Sequence, residues 1–211
     1  MKIIMPSVEI LTPLDGEAIL RHIEFCGRTC YKSANADGSF ETTKRFIKDL
    51  LRFEHEAMLE HYSFTVKFIC DRGVMAELTR HRLSSFAVES TRYSNYSKDK
   101  FGNEITVIKP YFFEEGSVEY AEWEETMLAC EKSYLALINS GATPERARSV
   151  LPTSLKTEVI MTSNLREWRH FLKLRAQGTT GAPHPQMKEV ALPLLNMLKE
   201  RIPIIFDDIN G

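Results

Sequence analysis

Between Phe64 and Phe68 apolar and polar side chains alternate (Phe-Thr-Val-Lys-Phe), the two-residue period of a strand with one face buried and one wet. Such a strand needs sheet partners and a layer to cover its apolar face, and the flanking sequence offers helices of uneven length rather than a regular strand–helix–strand period. Further strands are predicted at residues 2–5, at 104–109 (stopped by Pro110) and at 157–162. Helices are predicted at 17–26 behind an Asp15 cap and from Thr42 or Thr43 onward, with Phe46, Ile47, Leu50 and Leu51 at helical spacing. Others follow at 74–80, at 117–139 with Gly141 just beyond, from Thr143-Pro144-Glu145, at 164–175, and in a last segment that stops near Pro203. Residues 33–38, 84–96 and 176–185 read as loops. The pattern is α+β: a short-stranded, mainly antiparallel sheet flanked by helices, in one domain over residues 1–211. It holds no repeat and no glycine-rich phosphate loop of the GxGxxG or GxxxxGK[ST] kind.

The formal net charge of −2 argues against a general nucleic-acid coat, so any anion site has to come from arginines clustered in space. No window approaches 18 uninterrupted apolar residues and MKIIMPSVEILTP carries no targeting pattern; no membrane span and a cytoplasmic location are expected. Cys26, Cys30, Cys70 and Cys130 show no CxxC spacing, which favours free buried thiols over a disulfide or a metal site.

The densest polar segment is Arg80-His81-Arg82-Leu83-Ser84-Ser85-Phe86-Ala87-Val88-Glu89-Ser90-Thr91-Arg92-Tyr93, with three arginines, one histidine and four Ser or Thr hydroxyls in 14 positions. Guanidinium groups present a planar fork of donors to phosphate or carboxylate oxygens, and hydroxyls with turn N–H groups complete an anion cradle. A solvated basic loop or internal ion pairs would show the same composition. Two more arginine groups follow, Arg146 with Arg148, and Arg166, Arg169 and Arg175. On one helix from Asn164, Arg175 would share a face with Asn164, and Arg166, His170 and Lys173 would form a second stripe, with Trp168, Phe171 and Leu172 between. His55-Glu56…Glu60-His61 suggests zinc, but HExxH requires a histidine where Leu59 stands, so no metal is expected.

RHR followed by Ser90 and Arg92-Tyr93 is similar to the signature of flavin-dependent thymidylate synthases. The resemblance extends to HExxxEH at 55–61, RxVLP at 148–152 and NLRxxxHFLxLR at 164–175, covering roughly residues 40–200 in the family's order. It implies an enzyme that methylates dUMP at uracil C5 with FAD as hydride carrier, NADPH or NADH as reductant and methylenetetrahydrofolate as carbon donor, releasing tetrahydrofolate. It implies FAD contacts from His55, Ala57, Arg80, His81 and Arg82, with Asn164, Leu165, Arg166 and His170 completing the flavin site from another subunit of a homotetramer. For dUMP it implies Glu77, Arg80, Val88, Glu89, Ser90, Thr91, Arg92 and Arg148, chiefly at the phosphate, and Arg175 at the uracil ring as the catalytic group. Ring polarisation suits this chain, because no cysteine lies in a motif that would lower a thiol pKa and Ser90 has no evident base. Ala87-Val88 stand where the family often has Asn-Glu, leaving Glu89 or a backbone contact to serve. Two other readings are an inactive flavin- or nucleotide-binding relative, and a single-strand nucleic-acid binder stacking bases on Tyr93, Tyr96 and Phe101.

Overall fold

The computed structural model describes all of residues 1–211. In chain order its elements are β1 (Lys2–Ile4), β2 (Ser7–Ile10), α1 (Gly16–Tyr31), α2 (Phe40–Arg52), β3 (Ser63–Asp71), α3 (Arg72–Leu78), β4 (Ser85–Val88), β5 (Thr106–Ile108), α4 (Val118–Asn139), α5 (Pro144–Ala147), β6 (Lys156–Asn164), α6 (Leu165–Leu172) and α7 (Pro185–Arg201). Short 3₁₀ segments occupy Glu56–His61, Asp99–Phe101 and Arg148–Val150, and a π turn occupies Lys173–Gln177.

β1 and β5 pair in parallel, while the main sheet has the order β2-β3-β6-β4. Tyr62 C=O accepts from Leu165 N–H at 2.9 Å while the Thr65 and Thr162 hydroxyls meet at 2.8 Å, so β3 and β6 run antiparallel. Glu89 N–H to Glu158 C=O at 2.9 Å and Ser84 Oγ to Ser163 Oγ at 3.0 Å fix the same sense for β4. The α+β expectation is met. β4 was not expected, since the sequence reads residues 84–96 as loop. Its four residues do alternate in exposure, but the polar run around them hides so short a strand.

The chain forms two compact units and passes from one to the other after Ser7, Lys67, Arg80, Phe86 and Val159. One comprises residues 1–7, 68–80 and 87–159. Its core gathers Tyr96, Ile105, Val107, Trp123, Met127, Tyr134 and Leu155 around α4, whose Ser117 cap accepts from Tyr120 N–H at 3.1 Å. Met127 lies in this core while its neighbour Leu128 is exposed.

The other unit comprises residues 8–67, 81–86 and 160–211. Asp15 caps α1 as expected, but α1 continues five residues past Cys26. α2 starts at Phe40, earlier than expected, because Ser39 supplies the cap. The two helices close on each other at Gly27, where an added Cβ would meet the Phe46 ring at 2.7 Å. α6 presents Trp168 to Phe64, stacked at 5.0 Å between centroids, and buries Leu165, Phe171 and Leu172. No helix is long and apolar enough to cross a membrane. All four cysteines are free, but only Cys70 is buried; Cys30 is exposed and Cys26 and Cys130 are half-buried, so the expectation of buried thiols holds for one of them.

Candidate active site

In the first unit, the turn after β4 is built by Ser90, whose carbonyl accepts from Tyr93 N–H at 3.2 Å and Ser94 N–H at 3.0 Å, and whose Oγ accepts from Arg92 N–H at 3.2 Å. That turn holds Thr91 and Arg92 against α5 and the 3₁₀ turn after it. Arg92 Nε donates to Glu145 at 2.9 Å, and Arg148 Nη1 reaches Thr91 Oγ1 at 3.5 Å. Thr91 and Arg148, 57 positions apart in sequence, thus meet, with Arg92 paired to Glu145 beside them. The Arg92–Glu145 pair is solvent-exposed, and such pairs contribute at most about 1 kcal/mol, so an incoming phosphate can displace Glu145. No histidine or carboxylate hydrogen-bonds Ser90 Oγ, which therefore lacks a base.

Glu89 does not join this cluster. Its carboxylate accepts from Lys156 Nζ at 3.0 Å and from the Tyr96 hydroxyl at 3.2 Å, and these groups line a cavity of about 290 Å³ with Lys2, Lys100 and Glu104. Val88 ends β4 half-buried, and an apolar side chain there leaves only its backbone for polar contact. Glu77 sits in the last turn of α3, where its carbonyl accepts from Arg80 N–H at 3.2 Å. Arg80 is exposed and forms no ion pair. Tyr96 is buried and Phe101 packs against it at 5.2 Å, which removes two of the three rings a single-strand binder would offer.

In the second unit, His81 is buried; Arg82 and Leu83 are exposed, and Arg82 forms no ion pair. His81 Nδ1 lies 3.0 Å from Glu167 Oε1, and Arg175 Nε donates to His81 Nε2 at 3.3 Å. The Phe171 ring meets the imidazole edge-on at 5.0 Å, and the His170 ring lies 5.9 Å away. Burial holds the His81 pKa below the ordinary histidine value, and Arg175 pushes the same way, against the hydrogen bond to Glu167. His81, Glu167 and His170 place ligand atoms within 4.8 Å of one another, as a metal site would. The Nε2 lone pair of His81, however, already accepts from a cationic guanidinium, so the arrangement is a hydrogen-bonded chain.

α6 begins at Asn164, whose Oδ1 accepts from Glu167 N–H at 2.9 Å and leaves its amide N–H groups to donate elsewhere. Arg166, His170 and Lys173 do share a stripe, and with Asn164, Glu56 and Glu60 they line a cavity of about 580 Å³. Glu60 accepts from Arg166 Nη1 at 2.6 Å. His55 and Ala57 border a different cavity of about 270 Å³ with Tyr31 and Met58, while Glu56 between them lines that of Asn164, Arg166 and His170. One unbroken helix to Arg175 was expected. α6 instead stops at Leu172, and a π turn follows that carries Arg175 to His81.

Sequence reasoning passed over Glu167 and the partners of Arg169. The Asn-x-x-Glu spacing signals a helix start, but nothing local shows that Glu167 would meet a histidine 86 positions earlier. Arg169 is held by both oxygens of Asp208 at 2.7 and 2.8 Å and by Glu56 at 3.1 Å.

The family described as thymidylate synthase complementing protein matches residues 17–204. A flavin-dependent thymidylate synthase of Geobacter sulfurreducens is 30% identical over 209 residues, covering 90% of this chain and 85% of that protein. One of Corynebacterium aurimucosum is 29% identical over 205 residues (89% and 79%), and a probable one of Mycobacterium phage D29 is 32% identical over 200 (88% and 81%). Among solved structures, the UMP/dUMP methylase PolB of Streptomyces cacaoi has the same fold, with TM-scores of 0.78 bound to 5-Br UMP and 0.79 bound to 5-Br dUMP, 21% identity, and 98% of this chain covered against 95% and 96% of PolB. With the family match spanning most of the sequence and the RHR…S-T-R-Y segment in place, the chain belongs to the flavin-dependent thymidylate synthase family.

Proposed function

We propose that residues 1–211 act as one catalytic domain that binds FAD and converts dUMP to dTMP, taking its carbon from methylenetetrahydrofolate and its reducing equivalents from NADPH or NADH. The observation that carries this reading is the RHR segment, with Arg80 and Arg82 exposed and free of carboxylates, in a chain matched by the family over residues 17–204. Unpaired guanidiniums in a chain of net charge −2 suit a dianionic ligand such as the FAD diphosphate. Asn164, Arg166 and His170 offer amide, guanidinium and imidazole donors around one cavity, a set that fits the carbonyls and ring nitrogens of an isoalloxazine. His81 would act there through the residues it holds, since its side chain is buried. His55 and Ala57 would contribute from their own cavity, through backbone or ring edge.

For dUMP, Ser90, Thr91, Arg92 and Arg148 form the phosphate cradle, with Arg80 beside them in sequence terms and Glu77, Val88 and Glu89 in supporting positions. When bound, FAD supplies the hydride that completes the methyl group; the protein supplies position and charge. Arg175 stabilises negative charge on the uracil ring as N3 loses its proton, which makes C5 a better nucleophile. Cys70 is unsuited to a thiol route, because burial pushes its thiol up to about 12. A homotetramer with sites shared between subunits completes the reading.

The test is direct. Purified protein should show flavin absorbance and form dTMP from dUMP, methylenetetrahydrofolate and NADPH. Arg175→Ala should keep its flavin and lose most turnover. Yellow protein without dTMP formation would instead identify a binding relative, and colourless protein without turnover would overturn the proposal.

A further inference from the structure

Arginine can only donate hydrogen bonds, so the 3.3 Å contact from Arg175 Nε requires His81 Nε2 to be an unprotonated acceptor. The single proton of the neutral ring must then sit on Nδ1, where the Glu167 carboxylate accepts it at 3.0 Å. Both His81 and Glu167 are about 95% buried, so water cannot substitute for either partner. We propose that Glu167 is a positioning residue: by holding the His81 proton on Nδ1, it keeps Nε2 available to fix the plane of the Arg175 guanidinium. The inference rests on the reading of Arg175 given above, and it adds a device specific to the route by which this chain holds that arginine.

The geometry supports this in two further ways. Asn164 fixes the backbone N–H of Glu167 at the helix start, so the carboxylate is delivered from a rigid first turn. The π turn at Lys173–Gln177 is what lets Arg175 approach from the other side of the ring, and π turns inside helices are a recurrent way of re-aiming one side chain. The charged and titratable groups facing His81 are Glu167, Arg175 and His170. Protonation of His81 would put a hydrogen on Nε2, convert the Arg175 contact into a donor–donor clash and remove that hold on the guanidinium.

Isotopic labelling of histidine ring nitrogens in the FAD-loaded enzyme reads the tautomer by NMR, with His81 assigned from the His81→Gln spectrum. The expected wild-type signal is an Nδ1–H tautomer; an Nε2–H tautomer overturns the proposal whatever the kinetics show. Glu167→Leu should erase that preference and lower kcat about ten- to a hundred-fold, as misplacement of a catalytic group does, with flavin content and the KM for dUMP within twofold. Glu167→Gln keeps an acceptor oxygen but removes the counter-charge to the imidazolium, so the acid limb of its pH–rate profile should move to lower pH; an unmoved limb contradicts the assignment. Adding Glu167→Leu to Arg175→Ala should cost nothing more, because the two act as one unit. Independent, multiplicative losses would show that Glu167 acts elsewhere. Wild-type turnover in Arg175→Ala, alongside an Nδ1–H tautomer, would instead refute the role of Arg175 while leaving the hydrogen-bond order intact.

Discussion

At the scale of single residues, the second unit holds its polar interior by specific pairing, and each pair has a measurable signature. His81 is neutral and buried, so the unfolded chain takes up a proton more readily than the folded one. Stability from this group is complete above the ordinary histidine value of 6.5 and is lost as pH falls through that value and then through the lower folded one. Thermal unfolding should therefore show wild type losing stability on acidification below about pH 6.5 more steeply than His81→Gln. Parallel slopes would mean that His81 does not titrate between the two states. Arg169 makes the stronger case. It is 2% exposed, forked onto Asp208, paired with Glu56, and donates to the Ile205 carbonyl, so it ties the C-terminal segment to α6. Arg169→Leu should cost about 1–3 kcal/mol in urea unfolding, because the buried Ile205 carbonyl loses its donor while Asp208 can turn to water. Asp208→Asn should cost much less, since Asp208 is half exposed and an amide still accepts.

The elements show where sequence reasoning succeeds and where it stops. Strong periodicity and a local cap were legible: Asp15 before α1, and the alternating burial of Phe64, Val66 and Phe68. The arginine-rich segment was legible too, because residue type and spacing carry its chemistry. What escaped was decided by partners distant in sequence. β4 exists because β6 pairs with it, and Glu167 matters because His81 lies beside it. The π turn escaped for a related reason. Lys-Leu-Arg-Ala-Gln is an ordinary helical sequence, and only Gly178, in the left-handed region at φ 79°, marks its end. Gly178 has no substitute: an added Cβ would meet the Gly181 carbonyl at 2.9 Å and Pro183 at 3.0 Å. Gly178→Ala should thus cost about 1–2 kcal/mol from backbone conformation alone, and more from the contact. Because relaxation of that turn moves Arg175, turnover should fall by a larger factor than stability does. A variant that is destabilised with unchanged kcat would separate the turn from the chemistry.

For the whole molecule, the decisive expectation concerns assembly. Leu83 is 80% exposed, Phe25 73% and Tyr31 62%, large apolar surfaces that water penalises and that a subunit contact would cover. Leu83 directly follows Arg82 and lines the cavity of Asn164, Arg166 and His170, so an apolar contact there would bring another subunit's residues to that cavity. If the flavin site is completed across subunits, then Arg80→Ala and Arg166→Ala damage different contributions to one site. Each homo-oligomer should lose most activity, yet hybrids made by co-expression should regain a fraction, because some sites receive the intact residue from both sides. Light scattering should give about four times the chain mass for all of them, consistent with the proposed homotetramer. Hybrids no more active than the two parents, at that same mass, would place Arg80 and Arg166 in one subunit's site. An active monomer would remove the shared-site reading outright, and leave the exposed Leu83 as a surface without a partner.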